Sequence, residues 1–152
     1  MQPGFWNIDL LTRARDGRNF TLAEALYHLD DDGTITACPA GSMSDGISTP
    51  TIVWATDPPF GIGRWFPGIW HDCSPKYRCT LMQWFGNHWG VAQFTFEECN
   101  STLRRQLIRL GMTSVKADAY FEALQLAGGM ASTSDLGIAV GRIIVPPPPP
   151  WL

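Results

Sequence analysis

Charge is scarce in this sequence. Eleven Lys and Arg stand against 14 Asp and Glu in 152 residues, a formal net charge of −3 with only 16% charged residues. A chain that grips nucleic acid through its backbone needs a basic face to displace counterions from phosphates, so no nucleic-acid partner is expected. Long apolar runs are lacking as well. No stretch of about 18 uninterrupted apolar residues occurs, so no membrane span is expected. The opening residues Met1-Gln2-Pro3-Gly4-Phe5-Trp6 show neither the basic start nor the apolar run of a secretory signal. Cysteine is sparse: Cys38, Cys73, Cys79 and Cys99 form no C-x-x-C pair. Made in a reducing cytoplasm, they are expected to remain thiols.

What is plentiful is apolar material, 45% of the chain, enough for one ordinary core and against disorder over the whole length. Residues 1–60 read as turns and short apolar alternations. Phe20-Thr21-Leu22 and Ala25 to Leu29 read as strands. Asp30-Asp31-Asp32-Gly33 supplies a tight turn, and Thr34 to Cys38 is the return strand, stopped by Pro39. The three aspartates lack the alternating oxygen ligands and spaced glutamate of a calcium loop and read as a solvated turn. Between 51 and 93 lie five of the seven tryptophans, Trp54, Trp65, Trp70, Trp84 and Trp89. Rings of that size suit core or subunit-interface packing better than a sugar platform, which would need polar partners at regular spacing. Arg64 to Asp72 is a candidate short helix.

Thr95-Phe96-Glu97-Glu98 is a capping box, and Phe96, Cys99, Leu103, Leu107 and Leu110 follow at helical spacing. Arg104, Arg105 and Arg109 fall elsewhere on the wheel and read as a solvated face. Gly111 ends this helix; a second starts near Thr113 or Ser114, turns Ala117, Tyr120, Phe121 and Leu124 inward, and stops before Gly128-Gly129. Leu136 to Val145 is apolar but interrupted by Gly137, Gly141 and Arg142, and reads as a late strand or an extended arm. Pro146, Pro147, Pro148, Pro149 and Pro150 must run as polyproline II and present Trp151 and Leu152 at their end. The expected fold is therefore α+β. A small antiparallel β unit in the N-terminal half packs on a helical C-terminal half with a helical hairpin, in one domain over 1–129, with an extended arm over 130–152.

The sharpest chemical feature is His71-Asp72. A histidine near a carboxylate can serve as a general base or a metal ligand. Adjacent helical residues diverge by about 100°, so each needs its own partner from elsewhere. Asp45 and Ser48, in the Gly/Ser-rich loop Gly41 to Pro50, are candidates to approach that site. The bland alternative is a loop capped by Asp45 and a satisfied, partly buried His71. His71, Cys73, Cys79 and His88 have zinc-ligand chemistry but none of the usual structural zinc spacings. Ser48 lacks a nucleophile elbow.

The order of features resembles a bacteriophage and prophage family catalogued as domain of unknown function 1353. That family runs V-P-x-G-F, T-D-x-x-S-x-P, H-D-x-x-Y and A-D-x-x-F, then a second helix ending in glycine. The matching residues here are Cys38 to Ser42, Ser44-Asp45 with Ser48 and Pro50, His71-Asp72, Thr95 to Gly111 and Ala117 to Gly128, so the family-like core covers about residues 20–129. The layout is also loosely similar to the His-Asp pair of phospholipase A2 enzymes. That similarity implies a catalytic set of His71 as base, Asp72 as metal ligand, and Asn100 where those enzymes carry an orienting aspartate. It departs again at Pro75, where a tyrosine is expected.

The resemblance implies a virion component of the tail, baseplate or neck, made in the host cytoplasm and assembled with other phage structural proteins. Its hydrolase-like site would be eroded at Asn100, because an amide cannot stabilise an imidazolium by charge. No cofactor is required by this role, and the arm from Pro146 to Leu152 would be its partner-binding element. The alternative is a metal-dependent hydrolase of phospholipid or peptidoglycan used in entry or lysis. Asp45 and Asp72 would then hold calcium or zinc, with His71 as base.

Overall fold

The computed structural model describes residues 2–6, 15, 16, 19–44, 65–75, 79–127 and 144–152. The fold is α+β, and every strand pairing in it is antiparallel. One sheet has five strands in the order β1 (Gly4–Trp6), β4 (Leu26–Leu29), β5 (Ile35–Cys38), β7 (Met82–Trp84) and β8 (Trp89–Val91). A second has β2 (Arg15–Asp16), β3 (Asn19–Thr21) and β6 (Met43–Ser44). Three helices, α1 (Trp65–Asp72), α2 (Phe96–Arg109) and α3 (Ser114–Ala127), complete the described residues.

The β4–β5 hairpin follows from its turn. The Gly33 amide bonds to the Asp30 carbonyl at 3.1 Å, and the Asp30 amide to the Thr34 carbonyl at 2.9 Å. Gly33 sits at φ +87°, where a side chain would be strained. Pairing in register, Leu26 with Cys38 through Leu29 with Ile35, then fixes which residues share a face. Leu26, His28, Thr36 and Cys38 point one way, and Tyr27 and Ala37 the other.

The first face meets α1. Trp70, fully buried, donates its indole N–H to Thr36 Oγ1 at 2.8 Å and sets its ring against His28 and Phe94. Leu26, Cys38, Ile69, Trp70, Cys73, Leu81 and Cys99 form the main core. All four cysteines are free thiols. Helix α1 tolerates Pro67 because that residue lies in its first turn, where an amide would have no helical acceptor.

Helix α2 begins with both arms of the capping box formed. Glu98 N bonds to Thr95 Oγ1, and Thr95 N to Glu98 Oε1, each at 3.1 Å. It ends in a Schellman motif. The Gly111 amide reaches the Ile108 carbonyl and the Met112 amide the Leu107 carbonyl, both at 3.0 Å, around Gly111 at φ +103°. That turn folds α3 back so that Leu103, Leu107, Ala117, Tyr120 and Leu124 make a second core.

Three expectations change. Leu110, expected inward, is 44% exposed, because it is the C-cap residue where the chain leaves the helix. The hairpin β7–β8 in the tryptophan-rich segment was not anticipated, since strands of three residues carry too little alternation to be seen. The triple-aspartate turn and the arginines of α2 are not separate solvated features. Asp30 is 7% exposed and takes Arg105 Nη2 at 2.8 Å, while Arg109 binds Asp31 Oδ1 at 2.7 Å and approaches His28 Nε2 at 3.3 Å. Arg104 pairs with Asp118 of α3. The turn thus pins the end of α2 to the hairpin. Of the 130–143 segment and the middle-zone Trp54, nothing falls within the described residues.

Candidate functional site

His71 and Asp72 occupy the last turn of α1, and both are buried. As their angular separation requires, they face different partners. His71 Nε2 lies 2.6 Å from Asn100 Oδ1 on α2, and Asn100 Nδ2 donates onward to Gln125 Oε1 on α3. One hydrogen-bonded line therefore crosses all three helices. With the Asn100 amide so oriented, its oxygen accepts from His71, so Nε2 carries the imidazole proton and Nδ1 carries the lone pair. Asp72 Oδ2 accepts from Ser44 Oγ at 2.8 Å, tying α1 to β6. Ser42 Oγ, just before β6, bonds to Thr80 Oγ1 at 3.2 Å.

Burial pushes the His71 pKa down to about 4, overriding the opposite pull of its bond to Asn100. The imidazole is neutral at physiological pH. Phe96 packs beside it with ring centroids 6.2 Å apart. An aspartate at position 100 would favour the imidazolium, whereas the amide holds the ring's orientation and leaves its charge state to burial. His28, packed edge-on against Trp70, is also driven to about 4 by burial, with Asp30 pulling it up and Arg109 and Arg105 pushing it down. Its Nε2 faces the Arg109 guanidinium, which can only donate, so His28 holds the opposite tautomer, protonated on Nδ1.

Asp45 and Ser48 lie outside the described residues. Asp72 already accepts from Ser44, and among the described residues no group of three His, Cys, Asp or Glu side chains could hold an ion. The described residues do not by themselves fit calcium or zinc. The set His71, Cys73, Cys79 and His88 is likewise not brought together. Cys79 is exposed, with its thiol 2.8 Å from the Pro75 carbonyl, and His88 bonds to its neighbour Asn87 on the β7–β8 turn.

The second candidate region is the arm. Residues 146–152, expected to reach into a neighbour, lie here on the chain's own sheet, against the face that carries Tyr27 and Ala37. Tyr27 Oη and Trp89 Nε1 both donate to the Pro147 carbonyl, at 3.2 and 3.0 Å. The Trp151 ring meets Tyr27 edge-on at 5.8 Å and Trp6 at 6.0 Å. Pro146 and Pro149 are buried while Pro147, Pro148 and Pro150 are exposed, the three-residue repeat of a polyproline II helix laid on a surface. The run does not stay extended to its end as expected: the Leu152 amide closes a turn on the Pro149 carbonyl at 3.1 Å and so carries Trp151 round. Ile144 bridges to Ala40 just before the run. Sequence reasoning located the arm but not its receptor. The paired tryptophans Trp84 and Trp89, flanking a four-residue turn, were the available signal.

No family model matches the chain, and no curated protein or solved structure is significantly similar to it.

Proposed function

We propose that this chain is a structural component of a bacteriophage particle, of its tail, baseplate or neck, that joins neighbouring structural proteins through its C-terminal arm. The observation that carries the proposal is the way the arm is held. Two side-chain donors converge on one proline carbonyl and two aromatic rings grip Trp151, contacts suited to a short rigid segment that loses little entropy on docking. The order of the motifs around Cys38 to Ser42, His71-Asp72 and Thr95 to Gly128 supports a phage lineage. The site at His71 supports a non-catalytic role, since Asn100 supplies no charge to an imidazolium and burial keeps the ring neutral.

Deleting residues 146–152 tests it. The proposal expects particles assembled with the shortened chain to carry at least tenfold fewer copies of it, at unchanged expression. Unchanged incorporation would overturn the arm's role.

A second reading, a metal-dependent hydrolase of phospholipid or peptidoglycan, is favoured by one observation. The bond from His71 Nε2 to Asn100 fixes the orientation of the imidazole, the positioning that a general base needs. Turnover of phospholipid vesicles or peptidoglycan with calcium or zinc, lost in His71→Ala, would establish it. No turnover by the unaltered chain on either substrate would remove it.

A further inference from the structure

We propose that the face built by Tyr27, Trp89 and Trp6 is a polyproline II-binding site, and that its occupant in an assembly is the arm of a second copy of this chain. The proposal deepens the docking role argued above and rests on it for its setting. Its physical basis is the two-sided nature of the five-stranded sheet. One face is covered by α1 and its core. The other carries Ala25, Tyr27 and Ala37, at 5%, 2% and 0% exposure, and the hydrophobic residues packed against that cluster are Trp89 and Trp151. Tyr27 also loses its ordinary acidity here, its pKa raised first by burial and then by Glu24. An apolar face of this kind needs a cover, and the cover it accepts is defined chemically.

That definition is a left-handed extended strand with prolines three apart on the buried edge, a main-chain carbonyl between them, and an indole two residues beyond the second proline, carried round by a turn that the Leu152 amide closes on the Pro149 carbonyl. The carbonyl of Pro147 accepts from two side-chain donors, and proline brings no N–H that would need an acceptor of its own, so the site reads main-chain oxygen and ring surface. Nothing in these contacts requires ligand and receptor to share a chain. Sixteen residues, 128–143, separate α3 from Ile144. At about 3.3 Å per residue they span at most about 53 Å, enough to reach an adjacent molecule. Within one molecule the tether gives the arm an effective concentration of about millimolar, so the chain's own arm holds the site in dilute solution and the arm of a second copy competes for it where copies are held side by side at a similar local concentration. Leu152, 73% exposed at the end of the arm, and Val145, 63% exposed before it, show that the docked segment is gripped through its middle.

Two full-length variants remove the competition within one chain. One, Tyr27→Phe with Trp89→Phe, keeps its arm but loses both donors to Pro147. The other, Pro146→Asp with Pro149→Asp, keeps its binding face but cannot seat its own arm. Sedimentation velocity at about 50 μM is expected to show a 1:1 complex in the mixture and monomer for each variant alone. A mixture that sediments as the sum of its parts would overturn the proposal. Should the first variant fail to fold, Trp89→Phe alone replaces it, with association at least tenfold above either partner alone still required. Because only purified chains are used, failure here leaves incorporation into particles standing. Conversely, a complex formed by a chain absent from particles would sink only the structural role.

Discussion

Lowering the pH from 7.5 to 5 should weaken this fold far more than its carboxylates predict, because two of its three histidines are buried and neutral. His28 and His71 have folded pKa values of about 4 against an ordinary 6.5. Between those values the unfolded chain binds protons that the folded chain refuses. Stability is therefore complete above about pH 6.5 and falls as the pH drops toward 4. At pH 5 each histidine costs about 2 kcal/mol, so the pair removes about 4 kcal/mol from a domain whose whole stability is about 5–15 kcal/mol. For Asp30, burial would raise the carboxyl pKa, but hydrogen bonds from Arg105 and the Asp31 amide hold it below its ordinary 3.8. Its contribution is lost only under more acid conditions. Urea unfolding followed by tryptophan fluorescence reads the effect. With a slope of about 2 kcal/mol per molar urea, the midpoint should fall by about 2 M between pH 7.5 and 5. The His28 and His71 imidazole resonances of the folded chain should stay close to the neutral position throughout. A midpoint unchanged over that range, or both imidazoles titrating near 6.5, would refute the reasoning.

Asn100→Asp places a carboxylate against His71 Nε2 and should raise the His71 pKa by about 1–3 units, flattening the loss of stability between pH 7.5 and 5 in the same urea series. An unaltered slope would show that burial alone governs the ring. Gln106 is fully buried and its side-chain amide has no partner among the described residues, so Gln106→Leu should raise stability by about 1–2 kcal/mol, read as a higher urea midpoint. A drop would reveal a partner for that amide. Asp30→Ala strips Arg105 and the Asp31 amide of their acceptor and should cost about 2–3 kcal/mol. Asp32→Ala, which loses one exposed bond to the Thr34 amide, should cost less than about 1 kcal/mol in the same assay.

What could be read from residues alone was what local chemistry dictates. The Thr95–Glu98 capping box, Gly111 at the helix end and the Asp-Asp-Asp-Gly turn each solve a backbone problem within a few positions, and each forms. The arginines of α2 look like a solvated face in the sequence for the converse reason. A helical wheel shows that Arg105 and Arg109 leave the apolar stripe, but only the packed fold brings a turn 75 residues earlier under them. The line from His71 through Asn100 to Gln125 joins residues 29 and 25 positions apart and has no periodicity to betray it. The pairing of 71 with 100 came from the motif resemblance. For the arm, the proline run announced an extended course that holds as far as Pro149, while its receptor is assembled from Tyr27, Trp89 and Trp6 on three separate strands, two of them only three residues long and too brief in alternation to recognise.

The most direct measurement of the proposed role is quantitative mass spectrometry of purified phage particles, with this chain counted against the major capsid protein. A structural component predicts a fixed copy number from one preparation to the next, in a multiple of three or six. Absence from particles alongside abundant expression in infected cells would contradict it.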